Sequence, residues 1–442
     1  MLTTAKTAGG VLRGLVEDGL VVFRGVRYAT AERFGPPRPV QAWSGERDAT
    51  ADGPISPQRQ ARLEHVVGAS ERHPQSEDCL SLTITTPAAD DRARPVLVWF
   101  HGGAWIAGSL KGFSGHQLAR EGDVVIVSVG YRLGALGYLR SPGITEGNLG
   151  MADQLAALRW VHENIAAFGG DPGTVTVAGQ SAGAHSVRCL IGMPDAEGLF
   201  RRAILQSAPG GCISSHPAAE RAGRRFLTRL GTDPHTASVD AILDAQALAA
   251  RDAAGRTGLN SKPLFIPVTA AGPLPDERQW AAHLARRAAG LDVIVGSTQR
   301  EMSAFYAMNP ALNRLRRISS AGPATAEAVE RAATAIAFGR PARRLATRLS
   351  EAGARVWTYR FDYVAPGSPF GATHCLDVPF IFGTEADWAN APMLAGADPR
   401  DIETLGRRMR TAWLGFVRTG MPETDTPWPQ YTPDTPIGYH WR

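Results

Sequence analysis

The chain has 442 residues, 44% of them apolar and 20% charged, the makeup of a globular protein with a core several layers deep, which argues against intrinsic disorder. The formal charge of +5 comes almost wholly from arginine, since Lys6, Lys111 and Lys262 are the only lysines; this suits a GC-rich genome, and without a nucleic-acid motif a polyanion partner is only the weaker alternative. No run approaches the roughly 20 apolar residues of a spanning helix, and residues 1–14 lack the apolar run of a secretion signal, so neither a membrane protein nor an exported precursor is expected.

In chain order, positions 21–23 and 80–86 alternate apolar and polar residues with turns between, the pattern of an antiparallel edge. Residues 59–76 are polar and irregular and are expected to form a loop. Strand-like runs follow at 95–100, 124–129, 174–178, 202–206, 291–296 and 355–361. The segments 96–100 and 124–127 are almost continuously apolar, as in parallel strands covered on both faces by helices. Between the strands, Leu155, Leu158, Val161, Ile165 and Phe168 line one face of a helix over 151–168. Ile402, Leu405, Met409, Trp413 and Phe416 do the same over 401–420, with Gly420 as the stop. Residues 308–323 are expected to be an irregular loop, and Arg340, Arg343, Arg344 and Arg348 a solvated helix face. No linker divides the chain. Cys79, Cys189, Cys212 and Cys375 match no zinc or redox spacing, so they are expected to be reduced thiols in a cytoplasm.

Gly179-Gln180-Ser181-Ala182-Gly183 fits G-x-S-x-G, a pattern common by chance. Here it stands between a strand-like run and the helix-compatible segment 184–190, the setting a nucleophile elbow requires. Such a turn is tight, so small residues flank the serine, and its hydroxyl is held out at the carboxyl end of the sheet. A serine needs a base to take its proton, and attack on an ester creates an oxyanion that needs donors. His101-Gly102-Gly103-Ala104-Trp105, directly after a strand, offers them: the expected donors are the N–H groups of Gly103, Ala104 and Ala182.

The base follows by elimination. Where the triad runs in the order serine, acid, histidine, only His374 and His440 of the 11 histidines lie late enough. His440 sits at the C-terminal end, where fraying is normal, so His374 is the expected base. Glu301, just beyond the strand 291–296, is the leading acid; it would accept the ring N–H and fix the tautomer. Asp362, after the strand 355–361, is its rival.

These residues resemble the type-B carboxylesterase family of α/β-hydrolases, which includes bacterial para-nitrobenzyl esterases and the cholinesterases. The resemblance covers nearly the whole chain. It runs through Phe23-Arg24-Gly25-Val26-Arg27-Tyr28-Ala29, Trp43-Ser44-Gly45-Glu46, Glu77-Asp78-Cys79-Leu80-Ser81-Leu82, the stretch from Asn148 to Gly183, and 371–383 with Asp377-Val378-Pro379-Phe380. It implies an α/β-hydrolase fold: a central, mostly parallel twisted sheet with an antiparallel N-terminal edge and helices on both faces. It also implies one domain over 1–442, with loop and helical insertions forming the pocket. The triad it carries over is Ser181, Glu301 and His374, and glutamate as the acid is typical of the family.

There are departures from the family pattern. Ser56 stands where the usual disulfide partner of Cys79 would be, so that bridge cannot form. Gln180 replaces a glutamate found in many relatives, which weakens the case for cationic substrates. Arg27 and Gly130 replace a common proline and asparagine, and the chain is shorter between Glu301 and His374.

The expectation is therefore a serine carboxylesterase acting on small-molecule esters through an acyl-enzyme, with no metal or organic cofactor, no nucleic acid and no membrane partner. A carbamate, amide or specialised natural-product ester is the alternative substrate. A binding protein that kept the fold and lost the chemistry is the rival reading. Trp105, Phe265, Phe305 and Phe370 are expected pocket walls, and oligomeric state is not legible.

Overall fold

Side chains alternate between the two faces of an extended strand, so an unbroken apolar run must be covered on both sides. The computed structural model describes residues 1–69, 72–113, 115–254, 263–318, 320–383, 385–436 and 438–442. The amino-terminal strands are β1 (Leu2–Lys6), β2 (Val11–Glu17), β3 (Leu20–Arg27), β4 (Ala29–Thr30), β5 (Arg38–Pro39), β6 (Glu46–Asp48) and β7 (Ser81–Thr86). They are followed by β8 (Arg94–Phe100), β9 (Val125–Val129), β10 (Gly170–Gln180), β11 (Arg202–Gln206), β12 (Asp292–Thr298), β13 (Arg355–Phe361) and β14 (Tyr439–Trp441).

The first helices are α1 (Glu64–Val67), α2 (His116–Gly122), α3 (Gly134–Tyr138), α4 (Leu149–Asn164), α5 (Ala182–Ile191), α6 (His216–Leu230) and α7 (Val239–Ala254). Then come α8 (Glu277–Arg287), α9 (Glu301–Tyr306), α10 (Pro310–Ile318), α11 (Gly322–Thr334), α12 (Arg340–Glu351), α13 (Glu385–Trp388) and α14 (Pro399–Thr419). Among the described residues, no helix is long and apolar enough to cross a membrane.

The main sheet runs β1-β2-β3-β7-β9-β8-β10-β11-β12-β13-β14, with β6 beside β2 and β4–β5 a separate ribbon. Pairing is antiparallel from β1 through the β7–β9 junction and parallel from β9 to β14. The fold is thus that of an α/β-hydrolase, with the antiparallel edge and parallel centre the sequence implies. In β8, Val96, Val98 and Phe100 join one core, where Leu155, Leu158 and Val161 of α4 cover them. Leu97 and Trp99 join the opposite core with Leu405, Met409 and Trp413 of α14. The order of connection reverses at β8, flanked by β9 on one side and β10 on the other, and ligands bind beyond the carboxyl ends of strands at such a point.

Two expectations fail. Residues 308–323 are helical, not irregular: α10 and α11 occupy most of the segment, and position 319 lies outside the described residues. The arginine-rich composition conceals a capped amphipathic helix, in which the Asn309 side chain accepts the Leu312 N–H at 3.1 Å, Pro310 opens the first turn and Leu312 is buried. His440, expected to fray, is held in β14 against Arg360 of β13. The 59–76 segment is mostly loop, with α1 as a single turn; positions 70 and 71 lie outside the described residues.

Candidate active site

β10 ends at Gln180 and α5 begins at Ala182, leaving Ser181 alone to reverse the chain. It does so at φ 56° and ψ −119°, a region that costs a residue with a Cβ about 1–3 kcal/mol. Its neighbours hold it there: the Ser181 N–H donates to the Gln206 carbonyl at 2.8 Å, and the His185 N–H donates to the Ser181 carbonyl at 2.9 Å. Space dictates the flanking glycines. A Cβ on Gly179 would stand 2.5 Å from the Gly183 carbonyl carbon, and one on Gly183 would stand 2.0 Å from the Phe100 carbonyl oxygen.

The Ser181 hydroxyl donates to Nε2 of His374 at 2.9 Å, and Nδ1–H of His374 donates to Glu301 Oε2 at 2.5 Å. Both the imidazole and the carboxylate are buried, at 1% and 0% exposure. The other oxygen of Glu301 accepts the Thr298 N–H at 2.7 Å, which fixes the carboxylate plane. Backbone bonds join the two loops: the Arg300 N–H donates to the Ala372 carbonyl at 2.8 Å, and Arg300 bridges Thr373. Burial opposes a charge on the His374 imidazole, but Cys375 beside it and the Glu301 carboxylate outweigh this and hold it well above the ordinary histidine range.

The loop after β8 lies against the serine, since a Cβ on Gly102 would be 3.3 Å from Ser181 Cβ. Gly103, Ala104 and Trp105 all have positive φ, at 108°, 57° and 58°. Only glycine suits the first position, where a Cβ would meet the Ala107 carbonyl oxygen at 1.9 Å. The amides of Gly103, Ala104 and Ala182 donate to no other group among the described residues, so they remain available to an incoming oxygen. His101 braces this loop: its Nδ1–H donates to the Gly102 carbonyl at 2.8 Å, and its ring stacks on Tyr131 at 4.4 Å. Burial, opposed by that carbonyl, pushes the His101 imidazole down to about 4, so it is neutral at pH 7.

Of the four expected walls, Phe305 reaches the site, its ring 5.1 Å from the His374 imidazole. Phe370 lies one step away, 6.2 Å from the His65 ring, and His65 in turn donates to the Ala304 carbonyl at 3.1 Å. Trp105 and Phe265 are core residues instead. The indole of Trp105 is buried beneath α5, donating to Ser186 Oγ at 3.3 Å and edge-on to His185, and Phe265 packs edge-on to Phe226. The rival acid and the rival base pair with each other: His440 Nδ1 lies 2.6 Å from Asp362 Oδ2, and Arg360 holds the other oxygen.

Three residues were not read from the sequence as neighbours of the imidazole. Phe338 covers it at 5.1 Å from the π-helical turn Ala335–Gly339, and no local pattern ties that turn to residue 374. The Gln180 amide reaches within 3.2 Å of Nε2. Asp377, three residues beyond His374, is fully buried and accepts Tyr359 Oη–H at 2.7 Å and Gln206 Nε2–H at 3.0 Å; burial raises its carboxyl.

The chain is similar to known proteins over almost all of its length. A sequence profile described as the Carboxylesterase family matches residues 2–321 and 316–439. The probable N-octanoylanthranilate hydrolase AqdA2 of Rhodococcus erythropolis is 45% identical over 438 residues, covering 98% of this chain and 96% of its own. The para-nitrobenzyl esterase of Bacillus subtilis (strain 168) is 35% identical over 465 residues, covering 97% and 92%. Among solved structures, the Geobacillus stearothermophilus carboxylesterase EST55 superposes with a TM-score of 0.84 at 34% identity, over 99% of this chain and 96% of that one.

Proposed function

The chain belongs to the carboxylesterase family and is a carboxylic ester hydrolase; on that premise we propose that it works through an acyl-enzyme at Ser181. Ser181 Oγ attacks the acyl carbon as His374 Nε2 takes its proton, and Glu301 steadies the imidazolium. The N–H groups of Gly103, Ala104 and Ala182 receive the oxyanion. The departing alcohol takes the proton from Nε2, and water then repeats the sequence to release the acid. What carries this reading is the unbroken file of hydrogen bonds from Ser181 through both nitrogens of His374 to Glu301. We further propose that residues 1–442 act as one domain, since strands from both ends of the chain share one sheet.

The test is Ser181→Ala assayed with para-nitrophenyl butyrate and with a fluorophosphonate label. Turnover should fall by about 10⁴-fold or more and labelling should vanish. Undiminished turnover would defeat the assignment.

A second reading keeps the site and changes the bond. The relative named for N-octanoylanthranilate spans nearly all of the chain, which favours an N-acyl substrate beside simple esters. Comparing kcat/KM for N-octanoylanthranilate and para-nitrophenyl octanoate decides between them. For location, we propose the cytoplasm of a bacterium. The support is that none of the four cysteines is in a disulfide and that Cys79, beside Ser56, is buried, with burial pushing its thiol up to about 12.

A further inference from the structure

We propose that α11 positions the acid of the triad, with Glu330 and Thr334 as its positioning residues. The inference rests on the triad reading above. Glu330 is 3% exposed, and its carboxylate is divided between two arginines. Oε2 accepts Arg300 Nη2–H at 2.7 Å, and Oε1 accepts Arg316 of α10. One turn further along α11, Thr334 Oγ1 accepts the Met302 N–H at 3.1 Å. The residues on either side of Glu301 are thus each anchored to the same helix.

Arg300 is also where the acid turn meets the histidine loop. Its carbonyl accepts Ser303 Oγ–H at 2.7 Å, and Ser303 Oγ lies 2.8 Å from Thr373 Oγ1. Its side chain lies across Gly371, where a Cβ would come within 3.0 Å of Arg300 Cδ. Beyond Thr334 the chain continues into the π-helical turn that sets Phe338 on the imidazole. One helix therefore fixes both the acid turn and one face of the base.

Charge points the same way. Glu301, Cys375 and Asp377 face or lie near His374, Tyr359 faces Glu301 from β13, and Tyr306 faces Glu330 beside the two arginines. Neutralising Glu330 leaves two unopposed cations next to the acid turn, which disfavours the imidazolium. Loosening the turn weakens the 2.5 Å contact between Glu301 and His374 and acts in the same direction.

The experiment measures kcat, KM and their pH profiles for full-length Glu330→Gln and Thr334→Val, with Ser181→Ala alongside. Glu330→Gln should lower kcat about tenfold at unchanged KM and move the acid limb down by about half a pH unit or more. Thr334→Val, which buries no unpaired charge, should lower kcat about threefold at unchanged KM and move the acid limb down in the same direction, and a loss of kcat with the limb unmoved counts against the inference. A smaller folded fraction scales kcat without moving the limb, so the limb separates positioning from mere stability. If Glu330→Gln does not fold, Thr334→Val decides alone. Folded variants with the parent's kcat and limb overturn the inference, and if Ser181→Ala is inactive the triad reading survives. Turnover retained by Ser181→Ala overturns both.

Discussion

Replacing Glu301 by glutamine isolates what the acid does for the base. In the wild-type chain Oε1 of Glu301 accepts the Thr298 N–H at 2.7 Å while Oε2 accepts Nδ1–H of His374 at 2.5 Å. A glutamine has one acceptor, and the buried Thr298 amide claims it, since leaving that N–H unmade costs about 1–3 kcal/mol. The side-chain NH₂ is then turned toward Nδ1, which must become an acceptor. The ring proton moves to Nε2, the atom that has to receive the Ser181 proton, so the resting tautomer is wrong. The lost charge adds to this: at about 4 Å between charge centres and an effective dielectric of about 20, the carboxylate stabilises the imidazolium by about 4 kcal/mol, or about three powers of ten in rate. Glu301→Gln should therefore lower kcat for para-nitrophenyl butyrate about 10³- to 10⁴-fold, with KM within about twofold because neither group binds the ester. A loss smaller than about tenfold in a folded variant would refute this account of the acid.

Two other perturbations have definite outcomes. His374 must be neutral to act as a base, and its pKa is held above the ordinary histidine value of about 6.5, so kcat/KM should rise with pH through a limb above that value. The same raised pKa stabilises the fold at pH values below the ordinary one, a contribution lost as pH rises through the raised one; thermal unfolding across that window reads it. Asp362→Asn should leave turnover within about twofold, because Asp362 serves His440 and Arg360; a loss of about 100-fold would return it to candidacy as the acid.

How much was legible depended on whether a feature is written locally. Strands β11 and β13 have the bounds read from the sequence, 202–206 and 355–361, because a short β-branched or aromatic stretch sits at the centre of each. Ser181 and the loop after β8 declared themselves because a tight turn restricts its own residue types. His374 and Glu301 required chain order and elimination, and they meet 2.5 Å apart across 73 residues. The helix α10 was hidden because its solvent face is arginine and its buried face is narrow. Trp105 was misread because nothing local tells a pocket wall from a core indole; its left-handed backbone at φ 58° accompanies its burial beneath α5. Phe338 left no trace, since a contact between a helical turn and a loop far along the chain has no sequence period.

The serine's backbone has an evolutionary corollary. At φ 56° and ψ −119°, Ser181 occupies ground that glycine reaches freely. Glycine there should raise the melting midpoint, by an amount equivalent to about 1 kcal/mol, while abolishing hydrolysis. A population screened for heat resistance alone would therefore tend to discard its own nucleophile, so thermal improvement of this chain demands simultaneous screening for turnover.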